Sequence, residues 1–396
     1  MTGSEKRAVL ILQNGTIFEG TGFGNTKKVI GDVIFNTSVV GHYELLSNPV
    51  YTNQILIFTY PLIGNYGIPD PNERDKWNVT KWFSSDFYDL KEKNPPDYWK
   101  FPKPNLIKVA GLGVYECCKE PSHYTSKMTL NEWMVREGIP GIENIDTRQL
   151  AKIIRDEGTM PGILQVFSPN EEPNFHNLTK EAINLEINNK NSLDLVSIKS
   201  PLTYENSGDT IVLIDCGIEY AILKSFLQRK LKVIRVPYTY SYSEIMEYKP
   251  KGIVVNGGPG NPKGLKKTTE TLKDCMSNKI PVLGIGLGNE LLALAAGADT
   301  YKMKFGHNTQ NQTCIDTDSK KAYTTVQNHA FTVNFNSLEK TSFKIWFRNA
   351  NDGTVEGLRN NNLLSVDFNP EPLINVSDTK LVYEQFIKNL NSSGGI

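Results

Sequence analysis

The chain has 396 residues, enough for two or three domains with full hydrophobic cores, which excludes a small disulfide-stapled protein. Lys plus Arg number 43 and Asp plus Glu number 43, so the formal net charge is zero and no global positive field favours nucleic acid or anionic lipid. No run approaches the roughly 18 consecutive apolar residues of a membrane span. Because the start shows no signal or transit pattern, we expect a cytoplasmic protein that binds neither nucleic acid nor membrane.

The cysteines and histidines give no sign of a disulfide framework or of a metal site. The five cysteines include no C-x-x-C pair, and the five histidines show no H-x-H or H-x-x-x-H spacing. We therefore predict no metal and no cofactor. We place Cys275 in a helix, Cys216 at a strand end and Cys314 in a polar turn, and we interpret all three as structural.

The first half of the chain is predicted to be β-rich. Residues 8–68 alternate short β-branched or apolar runs with Gly, Asn and Pro, a pattern of strands and turns, and 69–104 reads as an irregular excursion. Residues 129–158 have helical spacing, with Asp146 or Thr147 placed to cap a second helix and Gly158 placed to end it.

The second half has the pattern of an α/β domain. Residues 168–208 are polar with scattered prolines and are predicted to be a linker with one short helix. From residue 210 the short apolar runs IVLID, KVIRV, GIVV and PVLGI indicate parallel strands buried on both faces by helices. We predict a domain over 1–167, a linker over 168–208 and an α/β domain over 209–390.

Two strand ends of the α/β half are candidates for chemistry, because reactive residues gather at the carboxyl ends of parallel strands. The turn 256–262, NGGPGNP, could bring backbone N–H groups close to a ligand. The segment 284–288, GIGLG, has the spacing of a nucleophile elbow, in which flanking glycines make room for a strained turn. Its central residue is Gly286, which supplies no nucleophile.

These motifs together resemble the small, glutamine amidotransferase subunit of carbamoyl-phosphate synthase over nearly the whole chain. The first half carries GDVIFNTS, YPLIGNYG, GIPG and DTR, and the second half carries the two strand-end motifs, TYKMKFGH, QNH and DGTVEG. The resemblance implies a mixed α/β protein: a β-rich amino-terminal domain with helices, then a class I glutamine amidotransferase domain with a flavodoxin-like, mainly parallel sheet.

Active members of the family use a Cys at the elbow and a His and a Glu in an H-P-E motif, and this chain departs from that triad. The matching positions are Gly286, Asn369 and Glu371, so the nucleophile and the base are both missing. The usual G-H-Q reads G-N-E, with Glu290 in place of an amide expected to contact glutamine, and the usual Q-N-H-G-F has Ala330 in place of Gly.

Other positions that hold glutamine in active relatives are kept. By resemblance, the remnant of the glutamine pocket, including the two altered positions, is Ser38, Gly258, Gly260, Leu287, Glu290, Asn328, Ala330 and Phe331. The resemblance therefore implies a cleft that could still bind glutamine or a related small molecule. We interpret His329 as a partly buried hydrogen-bonding group.

Three functions remain open from the sequence, and with them the question of whether the chain is an enzyme. The first is a glutaminase-dead structural or regulatory subunit for an ammonia-using large subunit on a separate chain, which the family includes. The second is a residual or unusual glutaminase, for which a bound water would have to act near Glu371 or His329 without covalent catalysis. The third is an orphan scaffold or small-molecule-binding protein. By resemblance, the pathway is arginine or pyrimidine precursor synthesis.

Overall fold

A computed structural model of the chain describes residues 6–86, 106–186, 192–372 and 378–392. The chain divides into two compact units, residues 1–189 and 190–396, and each is described by itself. Much of the predicted excursion over 69–104 falls in the stretch 87–105, which lies outside the described residues. No helix of the described chain is long and apolar enough to cross a bilayer.

The first unit is built around a closed β-barrel. Its strands are β1 Lys6–Leu12, β2 Ile17–Gly24, β3 Lys28–Asn36, β4 Gln54–Phe58, β5 Leu62–Ile63, β6 Gly111–Gly113, β7 Glu116–Cys117, β8 Pro140–Glu143 and β9 Met160–Val166. The barrel order is β1-β2-β8-β6-β4-β3-β9, and β5 pairs with β7 separately. Closure pairs every barrel strand on both sides, so that apolar runs such as VLIL in β1 are fully buried.

The described part of the first unit has four α-helices, of which α3 begins and ends at the predicted capping residues. They are α1 His42–Leu46, α2 Leu130–Glu137, α3 Thr147–Glu157 and α4 Phe175–Ile183. The Asp146 side chain accepts a hydrogen bond from the Gln149 N–H at the start of α3, and Gly158 ends that helix with φ 102°. The β-rich half with helices that the sequence predicts is therefore confirmed.

The second unit contains one mixed ten-stranded sheet. Its strands are β10 Leu202–Tyr204, β11 Thr210–Asp215, β12 Lys232–Pro237, β13 Gly252–Val255, β14 Val282–Ile285, β15 Thr300–Asp316, β16 Ala322–Val333, β17 Lys344–Asn349, β18 Val355–Asn360 and β19 Leu363–Val366. The order is β10-β12-β11-β13-β14-β19-β18-β17-β15-β16. The five strands from β12 to β19 are mutually parallel, and the strands that flank them pair antiparallel.

Helices bury the parallel part of this sheet, as the continuous apolar runs predict. They are α5 Tyr220–Gln228, α6 Tyr242–Met246, α7 Lys266–Ser277, α8 Leu287–Ala295 and α9 Leu381–Ser392. The α/β architecture is confirmed, and Cys275 lies in α7 as predicted. The prediction for Cys314 was wrong: this residue lies buried in β15 rather than in a turn, because the polar sequence around it forms a long antiparallel strand.

The segment 168–208 contributes to both cores. Helix α4 packs Leu178 and Ala182 against the barrel strand residues Val9 and Ile11, whereas Leu193 and Val196 belong to the core of the second unit. Nothing tests the boundaries 1–167, 168–208 and 209–390, which stay a prediction.

Candidate functional site

The backbone at Gly286 has the conformation of the predicted elbow, although glycine has no side chain to place there. Gly286 lies between β14 and α8 with φ 57° and ψ −125°, a conformation that residues with a Cβ rarely adopt. Its N–H donates to the Val366 carbonyl at 2.8 Å, and its carbonyl accepts from the Asn289 N–H at 2.7 Å. The predicted strand-to-helix turn is thus held on both sides by backbone hydrogen bonds.

The glycines around the elbow are required by close backbone packing. A Cβ at Gly288 would run into the Val255 carbonyl, and one at Gly284 would run into the carbonyl of Gly288. A Cβ at Gly257 would lie 3.8 Å from Gly286 Cα, so the glycine-rich turn after β13 lies directly against the elbow. The two strand-end motifs therefore form one place in the fold.

The glycine-rich turn has its own packing constraint and its own buried amide. A Cβ at Gly258 would overlap the Cys216 carbonyl, and Gly260 has φ 103°. The Asn256 side chain is fully buried, and neither its amide oxygen nor its nitrogen has a hydrogen-bond partner among the described residues. A buried amide without hydrogen-bond partners beside the elbow could form hydrogen bonds with a bound polar molecule.

The positions of the triad base and its orienting acid make other interactions. Asn369 Nδ2 donates to Glu219 Oε2 at 2.8 Å, and Asn369 Oδ1 accepts from the Glu371 N–H at 3.1 Å. The Glu371 carboxylate accepts from Arg229 Nη1 at 2.7 Å. Neither side chain is arranged to take a proton from a nucleophile, because the amide does not titrate and the carboxylate is ion-paired.

Glu290, at the altered pocket position, is turned into the protein interior. It is 1% exposed, and burial raises its pKa. The buried carboxyl group of Asp367 also has a pKa raised well above the usual range, first by burial and then by the charge of Glu290. Two buried carboxyl groups that interact in this way retain a proton.

The QNHAF segment lies on β16, and this strand pairs with Asn369. Val326 and Asn369 form an antiparallel bridge, which brings this strand to the base position. His329 is 8% exposed and hydrogen-bonded, as predicted, whereas Asn328, Ala330 and Phe331 are half-buried. Leu287 is buried at the start of α8.

Ser38 belongs to the first unit, directly after β3. Its N–H donates to Asn36 Oδ1 at 2.8 Å, while its buried hydroxyl group has no hydrogen-bond partner among the residues described. Its membership of a glutamine pocket stays a prediction, as do the pocket roles of the residues in the second unit.

The sequence did not predict the residues that contact Asn369 and Glu371. Glu219 precedes α5 and Arg229 follows it, so both come from a helix far from the H-P-E position in sequence. Asp367 follows β19 directly. The only available signal was its place at the carboxyl end of a parallel strand.

Two family models match the chain, and they give its class: a carbamoyl-phosphate synthase small-chain domain followed by a class I glutamine amidotransferase domain. Residues 212–389 match the family model described as glutamine amidotransferase class-I, and residues 10–164 match the model for the carbamoyl-phosphate synthase small chain, CPSase domain. A solved Trypanosoma brucei CTPS glutaminase domain with bound acivicin has a TM-score of 0.38 and 19% identity, covering 48% of this chain and 96% of that one.

Full-length relatives narrow the class to one family. The carbamoyl phosphate synthase small chain of Methanopyrus kandleri is 37% identical over 96% of this chain and 98% of its own length. The small chain of Methanocaldococcus jannaschii is 39% identical over 96% of this chain and 98% of its own length. The chain therefore belongs to the carbamoyl-phosphate synthase small-chain family.

Proposed function

We propose that this chain is a small subunit that no longer hydrolyses glutamine and that acts as a structural or regulatory partner of an ammonia-using carbamoyl-phosphate synthase large subunit. The observation that carries the proposal is Gly286: the elbow keeps its backbone form, and its apex has no nucleophile. The two full-length relatives are carbamoyl phosphate synthase small chains, which supports a separate large chain as partner.

The surroundings of the elbow support loss of activity rather than replacement of the nucleophile. Burial raises the pKa of the Cys275 thiol to about 12 and that of Cys216 further, and both side chains are fully buried. A catalytic cysteine needs the opposite, an exposed thiol with a lowered pKa. Glu371, the remaining carboxylate of the triad, is paired with Arg229 and has no imidazole to orient.

The direct test is ammonia release from millimolar glutamine by the purified chain, alone and with a large subunit from the same organism. We expect no release above the rate of a buffer blank, with a glutaminase of established activity as the positive control. Turnover that saturates with glutamine, and that survives further purification, would contradict the proposal and favour the residual glutaminase.

A further inference from the structure

Three side chains of the kinds that bind metals come together from three different strands of the second unit, next to Asp367, whose Oδ2 lies 3.3 Å from His329 Nδ1. They are His307 on β15, His329 on β16 and Glu356 on β18, and all are buried. His307 Nδ1 lies 3.3 Å from His329 Nε2. The Glu356 carboxylate presents one oxygen to each ring, at 3.4 Å from His307 Nδ1 and 3.5 Å from His329 Nε2.

The outer hydrogen bonds direct the lone pairs of both rings toward this point. His329 Nδ1 faces two acceptors, the Phe331 carbonyl at 2.9 Å and Asp367 Oδ2 at 3.3 Å, so this nitrogen carries hydrogen. Nε2 of the same ring faces inward, where the Gln327 Oε1 atom also lies 3.3 Å away.

His307 Nε2 faces Asp352 Oδ2 at 2.9 Å, so it donates outward, and the inward Nδ1 lone pair has the Asn349 Nδ2 amide 3.4 Å away, a contact that a bound metal would replace. Each imidazole thus has the outer partner that fixes the tautomer of a metal-binding histidine.

The carboxylate completes the set with an oxygen that has no donor. Glu356 Oε1 accepts from Thr354 Oγ1 at 2.9 Å and from Asn349 Nδ2 at 3.3 Å. Glu356 Oε2 is buried and has no hydrogen-bond partner among the described residues. A carboxylate oxygen buried in this way needs a positive charge beside it.

We propose that His307, His329 and Glu356 form a zinc-binding site. In a tetrahedron with bonds of about 2.0–2.1 Å to nitrogen and oxygen, the ligand atoms are about 3.3–3.4 Å apart. The two ring nitrogens lie 3.3 Å apart, and one ligand atom from each of the three side chains lies within 4.8 Å of the other two. Two imidazoles and one carboxylate suit zinc, whereas magnesium and calcium select oxygen ligands alone. The fourth position takes a water molecule or another exchangeable ligand.

The competing occupant of this point is a proton. Burial lowers the pKa of His307, but its hydrogen bonds with Asp352 and Glu356 outweigh burial and raise the pKa to about 9. A protonated His307 could donate from Nδ1 to the carboxylate and hold the cluster together without a metal. A zinc-binding measurement distinguishes the metal from the proton, since only a metal site predicts saturable uptake of zinc.

The test is zinc binding to the full chain after treatment with a chelator, followed by competition with a chromophoric zinc chelator. We expect one equivalent of zinc per chain, and Co²⁺ in its place should give the visible absorption of a tetrahedral complex. Glu356→Gln should weaken zinc binding more than about 100-fold, and Asp352→Asn, which alters only an outer partner, about 10–100-fold. Asp352 is 45% exposed, so its variant is expected to fold even if the buried one does not.

The matched control is His176→Gln, which removes an exposed histidine from the first unit and should leave the affinity unchanged. Folding of every variant is checked by circular dichroism. The proposal is overturned if the folded chain takes up no stoichiometric zinc, which would leave the proton in the site. It is equally overturned if folded Asp352→Asn and Glu356→Gln bind zinc as tightly as the unaltered chain.

Discussion

Gly286 has the strained backbone conformation of an elbow turn and carries no nucleophilic side chain. Holding a Cβ at φ 57° and ψ −125° costs of order 1–3 kcal/mol of folding free energy. A Cβ there would also lie 3.2 Å from Gly257 Cα, a tight contact. Glycine avoids both costs, so a side chain at this position would lower the stability of the fold.

Restoring the thiol alone is predicted not to restore glutamine hydrolysis. In Gly286→Cys the base position is still Asn369, so only a few per cent of an ordinary thiol is ionised near pH 7 and no group protonates the leaving ammonia. Gly286→Cys with Asn369→His and Glu290→Gln should release ammonia at least about 100-fold faster than Gly286→Cys. Ammonia release from glutamine is measured for both.

The control for that experiment is Gly286→Ala combined with Asn369→His and Glu290→Gln, which has the new base but no nucleophile and should be inactive. If Gly286→Cys alone matched the triple variant, the argument from the missing base would be wrong.

At the scale of elements, helix α8 packs so closely against β13 that its second residue must be glycine. The Cβ of Gly288→Ala would meet the Val255 carbonyl, which is backbone and cannot rotate away. We predict a loss of about 3 kcal/mol of folding free energy or failure to fold, since a shift of the helix is the only relief. The measurement is urea unfolding followed by circular dichroism.

Gly264→Ala provides the comparison for this change. Gly264 has nothing within 4 Å of an added Cβ, and its φ is not in the left-handed region. This variant should stay within about 0.5 kcal/mol of the unaltered chain. Equal urea midpoints for the two variants would show that α8 can move away from the sheet at little cost.

For the whole molecule, we predict association with a carbamoyl-phosphate synthase large subunit that tolerates salt. The first unit is a closed barrel that lies outside the residues 212–389 matched by the glutamine amidotransferase model, and an interface of standard size buries on the order of 1,600 Å². With 43 basic and 43 acidic residues, a purely electrostatic encounter is not expected.

Complex formation is measured by analytical ultracentrifugation. The chain is mixed with a large subunit from the same organism at low and at moderate salt. Each protein alone is the control. Lack of a complex at micromolar concentrations, with both proteins folded, would favour the orphan scaffold or small-molecule-binding protein.

The sequence alone determined the fold class, the elbow and the missing triad side chains, because these depend on local patterns. Continuous apolar runs specify buried parallel strands, a G-x-x-x-G turn specifies the elbow, and Asp146 and Gly158 specify the ends of α3. Glycine at position 286 excludes a nucleophile whatever surrounds it.

Only the tertiary structure decided which distant side chains meet. The pairing of Asn369 with Glu219, the ion pair of Glu371 with Arg229 and the burial of Cys314 in a strand depend on contacts between separate elements. The same holds for His307, His329 and Glu356, which stand on three strands without a metal-binding spacing in the sequence. Antiparallel register brings their lone pairs to one point, and no local pattern encodes that register.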